Sequence, residues 1–315
     1  MKKESLKEPI ENYNIYSLHQ STNKSINRKR IIVTVAILVA FLVMLTIIAI
    51  YTTDTLKRLK QAKAYEAQVI SYQQELEKQE QQKRLEEEKK KQERMPKLTE
   101  TGKEKLKHIY GSDKKRAFLT FDDGPSSNTS PILSILQERN IKATFFMLGS
   151  RVEAMPDTVK KVFDQGHFIA NHGYSHVYSQ IYACPENVLD EYNRTNTAIQ
   201  KAIGEPDFNS HLFRFPGGLV GGKYAEIKQQ AKQLLEQNDI LNVDWNSLTG
   251  DAERQNPTPD QVVEGLKRTS QGKNSIVILM HDAQAKQITV ETLPQVIDYL
   301  IGEGYEFQTF FDVLT

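Results

Sequence analysis

Cysteine is the first scarcity: 315 residues contain one, Cys184. That excludes an internal disulfide and any zinc site built on several thiolates. The flanking Tyr182, Ala183 and Pro185 bring no histidine and read as a loop, so the thiol is structural rather than a nucleophile. Net charge is scarce too, 41 Lys+Arg against 40 Asp+Glu. No bulk electrostatic argument for a nucleic-acid partner follows. Tryptophan occurs once, at Trp245. Two long stretches each lack something specific. Ile31 to Tyr51 has no charged residue, and Thr55 to Met95 has no glycine or proline.

These two absences organise the first third of the chain. Residues 1–30 are polar, of mixed charge and without apolar period, which predicts an unstructured tail. It ends in the basic cluster Arg28, Lys29 and Arg30. Residues 31–51 are long enough to cross the hydrocarbon core as a transmembrane helix. A buried core helix this uniformly apolar would need protein on all sides. A cleaved signal peptide has a shorter apolar region and a small-residue cleavage pattern, which does not follow Tyr51. The basic cluster places the N-terminus in the cytoplasm and the rest outside, although Lys57, Arg58 and Lys60 make the asymmetry modest. Residues 52–97 are rich in Lys, Glu, Gln and Arg and predict a charged helical stalk that Pro96 ends. Within it Ala62, Tyr65, Val69, Tyr72 and Leu76 recur 3 and 4 apart. This seam of about two heptads is compatible with a stalk-mediated dimer or with a solvated single helix. Residues 98–115 read as a linker, and 116–315 as the folded domain.

In that domain short apolar runs alternate with amphipathic segments. Strands are expected at Ala117–Phe121, Ala143–Leu148, Phe168–Asn171, Leu212–Phe215, Ile240–Asp244, Ser275–Met280 and Tyr305–Phe310. Helices are expected at Pro131–Arg139, Thr158–Gln165, Glu186–Ala202, Tyr224–Gln237, Asp260–Thr269 and Val290–Ile301. Such alternation implies parallel strands with helical crossovers. The fold class is α/β, a distorted (β/α) barrel with an incomplete strand count. An open doubly wound sheet is disfavoured, because no Gly-rich phosphate loop follows the first strand.

Functional residues of such a fold gather where strands end. Asp122 and Asp123 end the first strand, His172 and His176 follow the third, and Arg214 the fourth. Asp244 and Trp245 follow next, then His281 and Asp282. Adjacent carboxylates resist ionising together unless their tasks differ; one binding a metal while the other activates water would separate them. A turn in which Asp caps a helix start is the plainer alternative. His172 and His176, four apart, would share one face of a helical turn and reach a single ion. Two histidines and a carboxylate leave a coordination position open for water or substrate. His167 and His211 have no motif around them and read as structural, and Asp282 as a turn residue.

TFDDGP, NHGYSH, RFPGG, the DWN stretch and ILMHD, in this order and at these intervals, resemble the polysaccharide deacetylases of the NodB-homology type, carbohydrate esterase family 4. The resemblance covers about Arg116 to Thr315. It implies a distorted (β/α) barrel and metal-dependent removal of N- or O-acetyl groups from sugars. Carried over residue by residue, it makes Asp123, His172 and His176 the ligands of one divalent metal. Zinc is the expected ion; cobalt, nickel and iron suit the same ligands. The metal would polarise the acetyl carbonyl and lower the pKa of a water. Asp122 would be the general base, and Arg214 its partner. His281 would be the general acid, with a carboxylate raising its pKa; Asp244 is the candidate and Asp251 the alternative. The N–H of Gly217 would hold the oxyanion. Leu279 or its neighbour Met280 would wall an acetyl pocket, with Leu279 taken for that role. Trp245 would stack on a sugar or pack in the core.

Three departures from the family pattern stand out. Gly173 replaces the usual hydroxyl residue after the first histidine. Gly217 and Gly218 replace the usual aromatic after Pro216. The Asp244–Trp245 pair lies at the strand end itself, with Asp251 beyond it. The expected protein is a single-pass cell-membrane enzyme with an extracellular domain acting on an acetylated glycan, peptidoglycan N-acetylglucosamine first. The same chemistry on chitin-type oligomers, xylan or an exopolysaccharide is the second reading. A glycan-binding scaffold with a vestigial site is the third.

Overall fold

The computed structural model describes residues 15–315, and the chain divides into two compact units, Met1–Glu87 and Glu88–Thr315. The described part of the first is helical throughout, within α1 (Ile15–Gln92). Of the expected unstructured tail, residues 1–14 lie outside the described residues; from Ile15 the chain is helix instead. No glycine or proline interrupts residues 10–95, and extending an existing helix costs far less than starting one. One helix is long and apolar enough to cross a membrane, Ile26–Gln92.

The second unit runs α2 (Glu100–Lys107), β1 (Arg116–Gly124), α3 (Thr129–Glu138), β2 (Thr144–Met147), α4 (Gly149–Ala154), α5 (Pro156–Asp164), β3 (Phe168–Asn171), α6 (Tyr178–Ile181) and α7 (Pro185–Ile203). It continues with β4 (Leu212–Phe213), α8 (Ala225–Gln237), β5 (Leu241–Asn242), β6 (Ser247–Leu248), α9 (Pro259–Ser270), β7 (Ser275–His281), α10 (Gln287–Gly302), β8 (Glu306–Phe307) and α11 (Phe311–Leu314). All seven expected strands and six expected helices are present. β6 was not expected; two residues are too few to carry a period.

The eight strands form one sheet in the order β5-β4-β3-β2-β1-β7-β6, with β8 beside β1. Every pairing is parallel. The sheet curls into an incomplete barrel, and among the described residues no ladder joins β5 to β6. Strand alternation sorts the side chains. Ala117, Leu119 and Phe121 of β1, with Ile276, Ile278 and Met280 of β7, pack under the outer helices. Phe118, Phe146, Phe168, Leu212 and Val277 form an inner cluster. The same alternation points Thr120 and Asp122, Leu279 and His281, to the inner side.

The stretch 98–115 is not a linker. Thr99 caps α2 by accepting from the Gly102 N–H at 2.9 Å, and Leu106 and Ile109 join Val313 and Leu314 in the inner cluster. Phe310 stacks on Phe118 with ring centroids 5.1 Å apart. The polar composition hid this, because only two apolar residues of the stretch are needed to fill the space. The unit also takes in the end of α1. Lys91 pairs with Glu205, and Arg94 donates to the Asp164 carbonyl at 2.8 Å.

The docking of α2 gives a test with a definite sign. A Cβ on Gly102 would lie 2.3 Å from the backbone oxygen of Leu314, an atom that does not rotate away. In an exposed helix Gly→Ala stabilises by about 1 kcal/mol. Here Gly102→Ala is expected to destabilise by about 1–3 kcal/mol through overpacking, read as a lower urea midpoint. A gain in stability would return the stretch to a linker.

Candidate active site

In an unbroken strand Asp122 and Asp123 would face opposite ways. β1 is broken between them: Asp122 pairs with Phe146, but the next register partner of Met147 is Gly124. Asp123 is the extra residue of a bulge, at φ +70°, a conformation that Asp tolerates better than most side chains. The bulge turns its carboxylate to the same rim as Asp122. Asp123 Oδ1 lies 3.5 Å from His172 Nε2 and 3.4 Å from His176 Nε2. The ligand atoms of the three residues are all within 4.8 Å of one another.

The histidines do not share a helical face, contrary to expectation. They follow β3 in a loop, in which Gly173 has φ +83° and His176 φ +56°. Glu191 of α7 braces that loop, accepting from the N–H groups of Tyr174 at 2.7 Å and Ser175 at 2.8 Å. The Ser175 hydroxyl bonds it as well. The hydroxyl lacking at Gly173 is thus supplied two residues on by Ser175, which donates to Glu191, a buried carboxylate in none of the sequence motifs. His172 Nδ1 bonds the Arg214 carbonyl at 2.8 Å. As donor there, the ring leaves Nε2 with a free lone pair toward Asp123. Burial pushes the His172 pKa down to about 3, with the Asp123 charge opposing, so the ring is neutral at physiological pH.

A divalent cation fits these residues. Asp123 Oδ1 is buried without a hydrogen-bond partner, and a buried orphan acceptor costs about 1–3 kcal/mol. It faces the Nε2 atoms of His172 and His176 at 3.5 and 3.4 Å. Two neutral imidazoles and a carboxylate are the donor set of open transition-metal sites.

Arg214, with no exposed surface, holds Asp122. Its Nη1 donates to Asp122 Oδ1 at 2.8 Å and to Thr120 Oγ1 at 2.7 Å. Nε and Nη2 donate to the Val243 and Asp244 carbonyls at 3.2 and 3.1 Å. Burial raises the Asp122 pKa above the ordinary carboxylate value, with Arg214 and then His281 pulling against it. Arg214 therefore fixes the orientation of a carboxylate made more basic by burial, rather than depressing it outright.

His281 ends β7, and its partner is Asp251, not Asp244. Nδ1 lies 3.1 and 3.2 Å from the two Asp251 oxygens. The His281 N–H and the Thr289 hydroxyl each donate to Asp251 Oδ2 at 2.8 Å. Burial lowers the His281 pKa, but the hydrogen bond and charge of Asp251 outweigh it, so the net shift is upward. Asp244 instead accepts from the Leu219 N–H, at 3.0 Å to Oδ2, and its own pKa is raised by burial. It shapes the loop after Pro216 and does not touch His281. The longer loop after β6 is what carries Asp251 back to β7, a path that sequence spacing did not reveal.

The remaining expected residues fall around this rim. Gly217 and Gly218 have φ +73° and +74°. A Cβ on Gly218 would meet the Trp245 ring at 3.2 Å; Trp245 is half-buried, packed on the inner cluster and with part of its ring open. Leu279 is half-buried on the His281 side of β7, whereas Met280 is in the outer core. Asp282 is more than a turn residue. Fully buried, it accepts from Thr129 Oγ1 at 2.6 Å and Ser126 Oγ at 3.2 Å. Its N–H donates to the Asp122 carbonyl at 2.7 Å, so it ties the turn after the bulge to β7. A crevice of about 430 Å³ runs from Asp123 and His176 past Ser126, Ser150 and Arg151.

The family model described as polysaccharide deacetylase matches residues 109–235. The Bacillus subtilis protein YheN, whose name is that of a polysaccharide deacetylase, is 32% identical over 204 residues, 64% of this chain and 68% of that one. A peptidoglycan-N-acetylglucosamine deacetylase of Bacillus cereus is 30% identical over 220 residues, 68% of this chain and 76% of that one. A Streptococcus mutans CE4 esterase structure superposes with a TM-score of 0.58 at 31% identity, covering 68% of this chain and 92% of that one. The chain belongs to the polysaccharide deacetylase family.

The Asp251 contact has a titration signature. The raised His281 pKa means the pair stabilises the fold fully at pH below the ordinary histidine value. That contribution is lost as pH rises through the folded-state pKa. Asp251→Asn removes the counterweight to burial and is expected to lower the His281 pKa below that of the wild type, followed by NMR of the ring protons. Asp244→Asn should leave it in place; a fall there instead would restore Asp244 as the partner.

Proposed function

We propose that this protein is a metal-dependent N-deacetylase acting on N-acetylglucosamine of peptidoglycan, held at the outer face of a cell membrane by residues 31–51. The observation that carries this reading is the convergence on one rim of an Asp-His-His cluster, a buried Arg-held carboxylate and an Asp-held histidine. The name of the Bacillus cereus relative supports the substrate. The basic cluster Arg28–Arg30 before the apolar span supports an internal N-terminus, and the charged helix after it supports a stalk, whether single or paired.

Asp123, His172 and His176 would hold the divalent ion, zinc by preference, which when bound polarises the acetyl carbonyl and makes a water acidic. The chain's own groups then divide the work. Asp122 takes the proton of the water that adds to the acetyl carbon, and Arg214 keeps the accepting oxygen in place. The backbone N–H of Gly217 donates to the carbonyl oxygen as it becomes negative. His281 gives its Nε2 proton to the sugar nitrogen as the C–N bond breaks, so acetate and a free amine leave. Asp251 holds the imidazole by Nδ1 and keeps it charged for that step. Leu279 lies where an acetyl methyl would be enclosed, and the open part of Trp245 offers a face to a pyranose.

Acetate release by the full chain in detergent tests this, with peptidoglycan, chitin oligomers and acetylated xylan compared. Peptidoglycan is expected to be the best substrate. Chelation should end activity, and zinc or cobalt should restore it. Asp122→Asn should lose about 10³-fold in kcat while still binding the metal. The rate should fall as pH rises through the elevated His281 pKa, because the acid form is lost. No acetate from any of the three glycans with metal present would remove the enzyme reading; glycan binding intact in that case would favour the scaffold.

A further inference from the structure

The Gly217–Gly218 pair leaves a gap beside the proposed oxyanion donor, and a side chain from another loop occupies it. Tyr178 opens α6, two residues after His176. Its ring centroid is 5.5 Å from the His176 imidazole and 5.7 Å from the Tyr182 ring. Tyr182 is buried and donates its hydroxyl to the Pro216 carbonyl at 2.7 Å. Tyr178 is therefore clamped between a metal-ligand ring and a tyrosine anchored to the very loop that carries Gly217. A Cβ built on Gly217 would lie 2.6 Å from the Tyr178 oxygen and 3.2 Å from Cζ. The phenol oxygen thus rests beside the backbone of Gly217, the residue whose N–H the deacetylase reading makes an oxyanion donor.

Two nearby phenols are committed elsewhere. Tyr174 donates to Glu153 at 2.8 Å, and Tyr182 to Pro216. The Tyr178 hydroxyl makes no hydrogen bond among the described residues, and the residue is 40% exposed. It is an available donor on a fixed ring, not core filler.

Resting on the deacetylase reading, we propose that Tyr178 is a further catalytic residue: its O–H donates to the acetyl carbonyl oxygen beside the Gly217 N–H and strengthens as that oxygen gains charge. At Gly217, whose φ of +73° itself favours glycine, a side chain would also crowd this hydroxyl. No bond to Tyr178 forms or breaks; the phenol keeps its proton throughout.

The experiment is acetate release by the full chain carrying Tyr178→Phe, in detergent and with metal loading matched to the wild type. Phe keeps the ring contacts, so the melting temperature is expected to stay put. The expected result is a fall in kcat of about tenfold to a hundredfold, since one donor among several is lost, with KM within about twofold because ground-state binding is kept. An unchanged kcat overturns the proposal, and so does a raised KM at unchanged kcat, which would make Tyr178 a sugar contact only. Should the Phe variant be less stable, kcat of both proteins is compared at a temperature well below either melting point; the same fall in kcat is expected there, and an unchanged kcat overturns the proposal. Wild-type activity separates the two readings: no acetate from the wild type removes the deacetylase assignment, whereas an active wild type with an equally active Phe variant removes Tyr178 alone.

Discussion

A fully buried guanidinium needs partners for its N–H groups, and Arg214 makes four hydrogen bonds on opposite sides of the open barrel. Two of its bonds go to β1, at Thr120 and Asp122, and two to the carbonyls of Val243 and Asp244 just after β5. Its backbone N–H and carbonyl engage Asn171 and His172 at the end of β3. Phe146 lies under the guanidinium plane at 3.9 Å. Removing one member of such a buried pair costs about 3–5 kcal/mol, because a charge is left alone. The same penalty that makes the arrangement fragile makes it specific: the Asp122 carboxylate, the His172 ring and the strand ends are held by one residue.

The positions at strand ends were legible in the sequence because apolar runs stop abruptly at ionisable residues. Asp122, Asp123, His172, Arg214 and His281 all come to one rim on that logic. The geometry inside the rim was not legible. Asp122 and Asp123 share a side only because of a bulge, and strand alternation alone predicts the opposite. The spacing of His172 and His176 suggested a helix; Gly173, with its left-handed backbone, was the available sign of a loop. Asp251 rather than Asp244 serves His281 because a two-residue strand, β6, intervenes, and so short an element leaves no pattern. The stretch 98–115 looked like a linker because Leu106 and Ile109 are sparse, yet the inner cluster needs only those two.

The departures from the family pattern are met by substitution in space rather than in sequence. Ser175 and Glu191 hold the loop that Gly173 leaves without a hydroxyl. Tyr178 and Tyr182 occupy the side of the third motif where Gly217 and Gly218 bring no ring. Ser175, Tyr178 and Tyr182 all come from the segment between β3 and α7, so one loop carries His172 and His176, the serine that binds Glu191 of α7, and the aromatic wall. A change in that loop would be felt at all three, which argues that it is a unit of function rather than a connection.

One of the costs left inside the folded chain lies at this rim. Asp123 Oδ1 is buried without a donor, at a residue already held at φ +70°. Strain of this kind, of order 1–3 kcal/mol, persists where the surroundings over-determine the backbone, and here the bulge is pinned by the β1 ladder and by Asp282. A cation bound by Asp123, His172 and His176 would satisfy the oxygen without any rearrangement of the chain. Binding to the folded form alone stabilises it, by about 2.7 kcal/mol at a hundredfold excess over Kd. The rim is therefore not a neutral surface that happens to suit a metal. It holds a buried acceptor, Asp123 Oδ1, that a metal would relieve.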